Sequence, residues 1–184
     1  HPLMSADLPG AIRGLHLNQL GSSIPVQDQE DFGSDNIFFT QMIGNPVDMM
    51  TAITFMTAGG VLQRHPDLRV AFLETNGGWI VPWLERLDHH AHIYGWDVPW
   101  LSEEPSAIFR RQCYISFDAD ESTLAFTANS PLVGADRILW ATDYPHPDAK
   151  IPGITAELTE AIAPLSIEDQ RLIAGTNARS LYGI

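Results

Sequence analysis

The sequence predicts an α/β fold in which parallel strands are joined by helices. Short apolar runs alternate along the chain with longer segments that have helical spacing, and this alternation is typical of parallel strands connected by helical crossovers. Each apolar run also ends at an ionisable residue, at the position where parallel α/β folds bind ligands. The two observations fit a closed barrel and an open sheet equally well.

The predicted elements follow one another in strand–helix order. The strands are residues 11–17, 69–74, 112–117 and 137–142, and the helices are residues 45–64, 81–93, 121–129, 155–162 and 167–182. The first helix begins with Asn45 as a cap and Pro46 in its first turn, although Gly59 and Gly60 weaken its second half. Residues 20–35 are rich in Gly, Ser, Pro, Gln and Asp and predict a long loop, which in a compact domain is functional or disordered.

Length and charge restrict the classes of protein and partner. We expect residues 1–184 to form a single domain around one core. Asp and Glu outnumber Lys and Arg by 23 to 10, giving a net charge of −13, and such a surface repels phosphate backbones and anionic headgroups. Nucleic acids and membranes are therefore not expected partners. The sequence shows no secretory leader and no apolar run of membrane-spanning length, so we expect a cytoplasmic protein.

The one cysteine, Cys113, excludes an intrachain disulfide and a zinc site built from cysteines. It lies within the apolar run Cys113-Tyr-Ile-Ser-Phe117. A buried thiol is therefore the expected environment of Cys113, rather than a nucleophilic site.

Ionisable residues at the strand ends form the candidate site. The apolar runs of the predicted strands end at His16, Glu74, Asp118 and Asp143, and the carboxyl ends of parallel strands meet at one rim. Taken singly, an acid after a strand often caps a helix, and a His in an apolar run is often a hydrogen-bonded core residue. Taken together, an imidazole and a carboxylate on neighbouring strand ends predict a divalent metal site, and zinc accepts such nitrogen and oxygen ligands.

Several segments carry a family likeness, in a fixed order along the chain. They are Arg64-His-Pro-Asp-Leu-Arg-Val-Ala-Phe-Leu-Glu74, Gly78-Trp79, Pro82-Trp-Leu-Glu-Arg-Leu-Asp88, Phe109-Arg-Arg-Gln-Cys-Tyr-Ile-Ser-Phe117, Asp136-Arg-Ile-Leu-Trp-Ala-Thr-Asp-Tyr-Pro-His146 and Asn177-Ala-Arg-Ser-Leu-Tyr-Gly183. Together they resemble the amidohydrolase-related family, which includes aminocarboxymuconate semialdehyde decarboxylase. The likeness covers nearly all of the chain from residue 45 onwards, and before residue 45 it is confined to the surroundings of His16.

The resemblance implies a metal-dependent (β/α)8 TIM barrel, of which this chain is the C-terminal half with about four parallel strands. In that family a His-x-His pair on the first strand, a His at the end of the fifth strand and an Asp at the end of the eighth hold the metal. His16 matches the fifth-strand position and Asp143 the eighth, so both are implied metal ligands, with zinc as the expected metal. The first-strand pair is absent from the sequence, because His90-Ala-His92 follows a helical segment and is interpreted as surface.

The resemblance also implies roles for residues around the metal. Asp143 is expected to relay a proton of bound water in addition to ligating the metal. Glu74 stands where many family members carry a His, and we expect it to act as a catalytic acid or base. His146, Trp79 and Tyr144 are expected to contact the substrate.

The implied function is that of a hydrolase or a nonoxidative decarboxylase acting on a small organic substrate, aromatic or unsaturated and carboxylated. The sequence does not choose between these reactions, and an open-sheet esterase is disfavoured because no Gly-x-Ser-x-Gly motif is present. The alternative is a non-catalytic half-barrel, or a subunit whose metal site another chain completes. Since a family barrel needs about 250 residues, we also expect either a missing N-terminal half or a homo-oligomer that covers the open sheet edges.

Overall fold

The computed structural model of this chain describes residues 40–145 and 152–184. The chain divides into two compact units, His1–Ala52 and Ile53–Ile184. The expectation of one domain over residues 1–184 stays a prediction. Four sequence predictions lie outside the described residues, namely the strand 11–17, the loop 20–35 and the site residues His16 and His146.

The described part of the first unit is helical. A π-helical turn, Thr40–Gly44, leads into helix α1, Asn45–Met56. The Thr51 hydroxyl donates to the Val47 carbonyl at 2.9 Å, a back-bond that threonine commonly makes inside a helix. The predicted start of this helix at Asn45 is confirmed.

The prediction of one helix over residues 45–64 is wrong in its second half. Helix α1 ends at Met56, and a separate short helix, α2, spans Val61–Arg64. Gly60 has a φ of 75°, a left-handed conformation that glycine adopts without steric penalty. The chain therefore turns at this glycine instead of continuing the helix.

The strands in the described residues form one sheet, in which neighbouring strands are parallel. Strand β1 is Val70–Phe72, β2 is Cys113–Asp118 and β3 is Ile138–Ala141, in the order β1-β2-β3. Val70 lies opposite Cys113, and Ile115 lies opposite Ile138. The three predicted strands that fall within the described residues are confirmed, and so is the α/β class with parallel strands.

The remaining helices flank the sheet. They are α3 (Ile80–Ile93), α4 (Pro105–Gln112), α5 (Leu124–Ala128), α6 (Ile154–Ile162), α7 (Ile167–Arg171) and α8 (Asn177–Tyr182). Short 3₁₀ turns occur at Gly95–Asp97 and Ala135–Arg137, and a π-helical turn, Leu172–Thr176, separates α7 from α8 where one helix was predicted. Helix α4 was not predicted, although Pro105 at its first position is a typical start signal. None of the helices in the described residues is long and apolar enough to cross a membrane.

The core lies around the middle strand. All residues of β2 from Cys113 to Phe117 are buried, as expected for a strand covered on both faces. Burial raises the pKa of the Cys113 thiol to about 12, so this cysteine is a packed core residue, as predicted. Phe109 of α4 and Phe117 of β2 are among the largest side chains that are fully buried.

Two buried amides fix the amino ends of the outer strands. The Gln112 side chain donates to the carbonyls of His65 and Leu68, at 2.8 and 3.0 Å, in the turn before β1. The Asn177 side chain donates to the carbonyls of Ala135 and Ile138, at 2.8 and 2.7 Å, at the start of β3. The amino ends of the strands are thus tied into the fold, and the carboxyl ends carry the ionisable groups.

Candidate functional site

Three carboxylates lie at the carboxyl ends of the described strands. Asp118 is the last residue of β2, while Glu74 follows β1 and Asp143 follows β3 by two residues each. The strands are parallel, so these residues share one rim of the sheet. Neighbouring strands are about 4.8 Å apart, which places the ends of β1 and β3 roughly 10 Å apart, a span that suits a small organic molecule.

The rim also carries unusual backbone conformations. Positive φ values at residues other than glycine occur at Glu74 (63°), Asn76 (54°) and Asp143 (53°). The left-handed conformation is unfavourable for residues with a Cβ and persists where surrounding contacts impose it, often at functional sites. Both of the predicted catalytic carboxylates, Glu74 and Asp143, are among these three residues.

A fourth carboxylate, that of Glu121, holds the β1 loop, which we define as residues 73–79. Its Oε2 accepts the N–H groups of Gly77 at 2.9 Å and Gly78 at 3.0 Å, and its Oε1 accepts the N–H of Asp118 at 2.8 Å. The Glu121 carboxylate therefore joins the β1 loop to the end of β2. Sequence reasoning missed Glu121, although the spacing Asp118-x-x-Glu121 is that of a capping box, in which a Glu reaches back to a backbone N–H three residues earlier.

Two further hydrogen bonds tie the β1 loop to β2. The Glu74 N–H donates to the Ser116 hydroxyl at 3.3 Å, and the Asn76 side-chain amide donates to Asp118 Oδ2 at 2.7 Å. Ser116 is buried, whereas Glu74 and Asp118 are exposed. The Glu74 side chain is thus exposed to solvent, while hydrogen bonds to Ser116 and Asp118 of β2 hold the backbone of the loop.

The electrostatic environment of Glu121 reflects two opposing effects. Burial raises the pKa of this carboxyl group, because removal from water disfavours the charged form. The hydrogen bonds from the N–H groups of Gly77, Asp118 and Gly78, and from the Asn76 side chain, act in the opposite direction. Burial is the larger effect, so the pKa of Glu121 lies above its usual value.

The glycines of the β1 loop have a packing role. In the structure, a Cβ added to Gly77 would overlap the Phe117 ring, and one added to Gly78 would overlap the Thr123 hydroxyl. Glycine is needed at both positions because the loop lies directly against the protein's own side chains.

The predicted substrate-contacting residues differ in exposure. Trp79 is half-buried, and its indole N–H donates to the Thr75 carbonyl at 3.0 Å. Tyr144 is 70% exposed, and its backbone N–H donates to the Thr142 hydroxyl at 3.3 Å. Trp79 therefore closes the β1 loop onto the start of α3, and Tyr144 stands out from the rim beside Asp143. Their contact with a substrate stays a prediction.

One of the predicted metal ligands, Asp143, lies within the described residues. Asp143 is a half-buried carboxylate at the rim and fits as one oxygen ligand. Its predicted partner His16 lies outside the described residues, and His90 and His92 are on the last turn of α3. Within residues 40–145 and 152–184 no group of three or more His, Cys, Asp or Glu is arranged to hold a metal ion. A complete ligand set would therefore need residues beyond these ranges.

Comparisons with known proteins agree on one family. The sequence pattern of the family described as Amidohydrolase matches residues 13–184. A curated relative, the 2-amino-3-carboxymuconate-6-semialdehyde decarboxylase of Dictyostelium discoideum, is 29% identical over 171 residues, which are 90% of this chain and 46% of the relative. This chain therefore spans about half the length of the curated relative that it matches.

Two solved structures share the fold. An amidohydrolase from Mycobacterium avium subsp. paratuberculosis K-10 superposes with a TM-score of 0.67 at 22% identity, covering 83% of this chain and 37% of that protein. The 5-carboxyvanillate decarboxylase of Sphingomonas paucimobilis superposes with a TM-score of 0.62 at 25% identity, covering 86% of this chain and 46% of that protein. The predicted fold class is confirmed, since the parallel strands and flanking helices correspond to part of an amidohydrolase-type TIM barrel.

Proposed function

Since this chain belongs to the amidohydrolase family, as its motifs predict, we propose that it serves the nonoxidative decarboxylation of a small, carboxylated aromatic or unsaturated substrate. The observation that carries the proposal is the rim, where parallel strands bring Glu74 and Asp143 to the same edge. The decarboxylases among the similar proteins favour this reaction over hydrolysis.

The chemistry requires a proton donor beside the carbon that loses its carboxylate. The bond between that carbon and the carboxylate breaks, carbon dioxide leaves, and the electron pair remains on the carbon, which then takes up a proton. Glu74 is exposed on the β1 loop, and a carboxyl group in such a position delivers a proton when it is within hydrogen-bond reach of the reacting atom. We assign this role to Glu74. Trp79 and Tyr144 would border the substrate on either side.

The charge of the rim supports a requirement for a cation. The chain has a net charge of −13, and Asp118 and Asp143 lie at the same edge as the proposed substrate. An anionic substrate is repelled by carboxylates unless a cation lies between them. We propose zinc, with His16 and Asp143 among its ligands and His146 beside the substrate. A divalent ion bound there would polarise the substrate carboxylate or lower the pKa of a bound water.

Carbon dioxide release from 5-carboxyvanillate and from 2-amino-3-carboxymuconate-6-semialdehyde tests the reaction. We expect turnover of one or both substrates, and a loss of about 100-fold or more in kcat for Glu74→Gln, because a positioned acid contributes about that much. Glu160→Gln is the matched control, since Glu160 is an exposed glutamate of α6. Full turnover by Glu74→Gln would refute the assigned role. Water-dependent cleavage of an amide or ester, without carbon dioxide release, would favour hydrolysis instead.

A second candidate is a half-site that another polypeptide completes. It is favoured by the sequence, which lacks the first-strand His-x-His pair that the resemblance implies. Elemental analysis separates the two candidates. A complete site predicts about one zinc per chain, whereas a half-site predicts little zinc and no turnover until a complementary chain is added.

A further inference from the structure

We infer that Glu121 is a positioning residue for Glu74. Its carboxylate holds the β1 loop in the backbone conformation that carries Glu74 to the rim. The inference rests on the proposed function of Glu74, and it concerns a carboxylate that the reaction itself does not use.

The hydrogen bonds enclose the segment that carries Glu74. On one side, the Glu74 N–H is bound by the Ser116 hydroxyl at 3.3 Å. On the other side, the consecutive N–H groups of Gly77 and Gly78 converge on Glu121 Oε2 at 2.9 and 3.0 Å. Consecutive backbone N–H groups form a concave site that suits an anion, and here the anion is a side chain of the same protein.

The conformation between these anchors requires support. Glu74 and Asn76 both have left-handed backbones, with φ of 63° and 54°, and residues with a Cβ favour other conformations when contacts do not hold them. Glu121 binds the two N–H groups that follow directly after Asn76. Without this carboxylate, we expect the loop to relax towards a more favourable backbone conformation, which would move the Glu74 side chain.

Glu121 also couples two strand ends. Its Oε1 accepts the Asp118 N–H at 2.8 Å at the end of β2, while Asp118 accepts the Asn76 amide at 2.7 Å. One carboxylate therefore links the loop that carries Glu74 to the backbone of Asp118. Such an arrangement fixes the spacing between acidic groups that would face the same substrate.

Turnover measurements in single and double variants test whether Glu121 acts through Glu74. We expect Glu121→Ala to lower kcat by about tenfold or more with a smaller change in KM, since misplacement of a catalytic group by about 1 Å has effects of this size. Glu121→Gln should lie between the alanine variant and the wild type, because its carbonyl oxygen still accepts from Gly77 and Gly78. Glu160→Gln should match the wild type.

The double variant Glu74→Gln with Glu121→Ala gives the decisive comparison. If Glu121 acts only through Glu74, the double variant should be no less active than Glu74→Gln alone, to within about twofold. Losses that multiply would overturn the inference and show an independent structural effect. Wild-type turnover in a folded Glu121→Ala protein would overturn it as well, while the proposed role of Glu74 would stand.

A measurement that needs no turnover separates the two proposals. The backbone carbon NMR shifts of Glu74 and Asn76 report the sign of φ, and we expect them to move in Glu121→Ala and not in Glu160→Gln. Unchanged shifts in a folded variant would overturn the inference even if Glu74→Gln abolishes turnover. If Glu74→Gln keeps full turnover, the proposed role of Glu74 fails and the NMR shifts alone decide whether Glu121 holds the loop. If the alanine variant does not fold, the turnover and NMR measurements are made on Glu121→Gln instead.

Discussion

The β1 loop and the loop after β3, residues 142–145, each carry a predicted catalytic carboxylate on a left-handed backbone, but they are built differently. In the β1 loop, Thr75 and Gly77 are buried, and Gly77 lies against the Phe117 ring. In the loop after β3, Thr142, Tyr144 and Pro145 are exposed, and the Tyr144 N–H donates to the hydroxyl of its near neighbour Thr142.

The difference indicates that the two carboxylates depend on different parts of the protein. Glu74 is placed by packing and hydrogen bonds from β2, so changes in the core beneath it should alter both stability and activity. Asp143 stands on a more exposed segment, where replacement by a side chain of similar size and backbone preference should have little effect on folding. Substitutions in the two loops should therefore separate stability from function, and the expected effects can be ranked.

The largest expected effect on stability is that of Gly77→Ala. The added methyl group would overlap the ring of Phe117, which is fully buried, and overpacking of this kind costs about 2 kcal/mol. Urea denaturation would measure the loss in the free energy of unfolding. Gly95→Ala is the control, because a Cβ there meets nothing within 4 Å, and we expect a change within about 0.5 kcal/mol. Equal stability of Gly77→Ala and Gly95→Ala would show that Gly77 is not closely packed against the Phe117 ring.

A smaller effect is expected from the left-handed backbone of Glu74. Glycine at this position should give a protein about 1 kcal/mol more stable than alanine, because alanine retains the steric penalty of a positive φ and glycine does not. Thermal or urea unfolding of Glu74→Gly and Glu74→Ala would measure the difference. Elsewhere in a chain alanine is the more stabilising residue, since it restricts the unfolded state. A more stable alanine variant would contradict the strained conformation.

The pH dependence of stability should reveal the half-buried carboxyl group of Glu121. Its pKa is raised by burial, so the folded protein holds the proton more tightly than the unfolded chain does. Its contribution to stability is fully present below the ordinary glutamate pKa, and it is lost as the pH rises through the higher folded value. The stability of the wild type relative to Glu121→Gln should therefore fall as the pH rises through this window.

Measuring the difference between the two proteins removes most contributions from other groups. Asp118 contacts the same loop, and Asp120, Glu157 and Glu160 border the adjacent groove, but all four are present in both proteins. A difference in unfolding free energy that stays constant from pH 4 to pH 8 would contradict the raised pKa of Glu121.

Much of the fold follows from the sequence alone. The apolar runs before Glu74, Asp118 and Asp143 form parallel strands, and the run that forms β2 is buried from Cys113 to Phe117, as a continuous apolar stretch predicts. Helix α4 was missed because its few residues hardly exceed two turns, too few to establish a periodic pattern. The break at Gly60 was indicated only weakly, since glycine is also tolerated within helices at a modest cost.

The contacts of the site were less predictable. The spacing of Asp118 and Glu121 indicates the local hydrogen bond between them. It does not indicate the bonds to Gly77 and Gly78, which lie 44 and 43 residues away and depend on how β1 and β2 are aligned. The left-handed conformation of Glu74 opposes its local preference, and such conflicts between local and tertiary demands are expected at functional sites.

The smallest expected effect on stability is that of Asp143→Asn in the exposed loop after β3. Asparagine tolerates the left-handed conformation that Asp143 adopts, and it preserves the size of the side chain. We therefore expect the free energy of unfolding in zinc-free buffer to change by less than about 0.5 kcal/mol.

Zinc binding and carbon dioxide release by Asp143→Asn should both fall sharply, because an amide is a poor replacement for an anionic zinc ligand. Asp143→Ala separates the loss of the metal ligand from the backbone effect. This variant should lose zinc to the same extent as Asp143→Asn. It should also lose about 1 kcal/mol of stability, since alanine at a positive φ has no side chain suited to that conformation. A large loss of stability in Asp143→Asn would mean that this carboxylate, like the backbone of the β1 loop, is part of the folded framework.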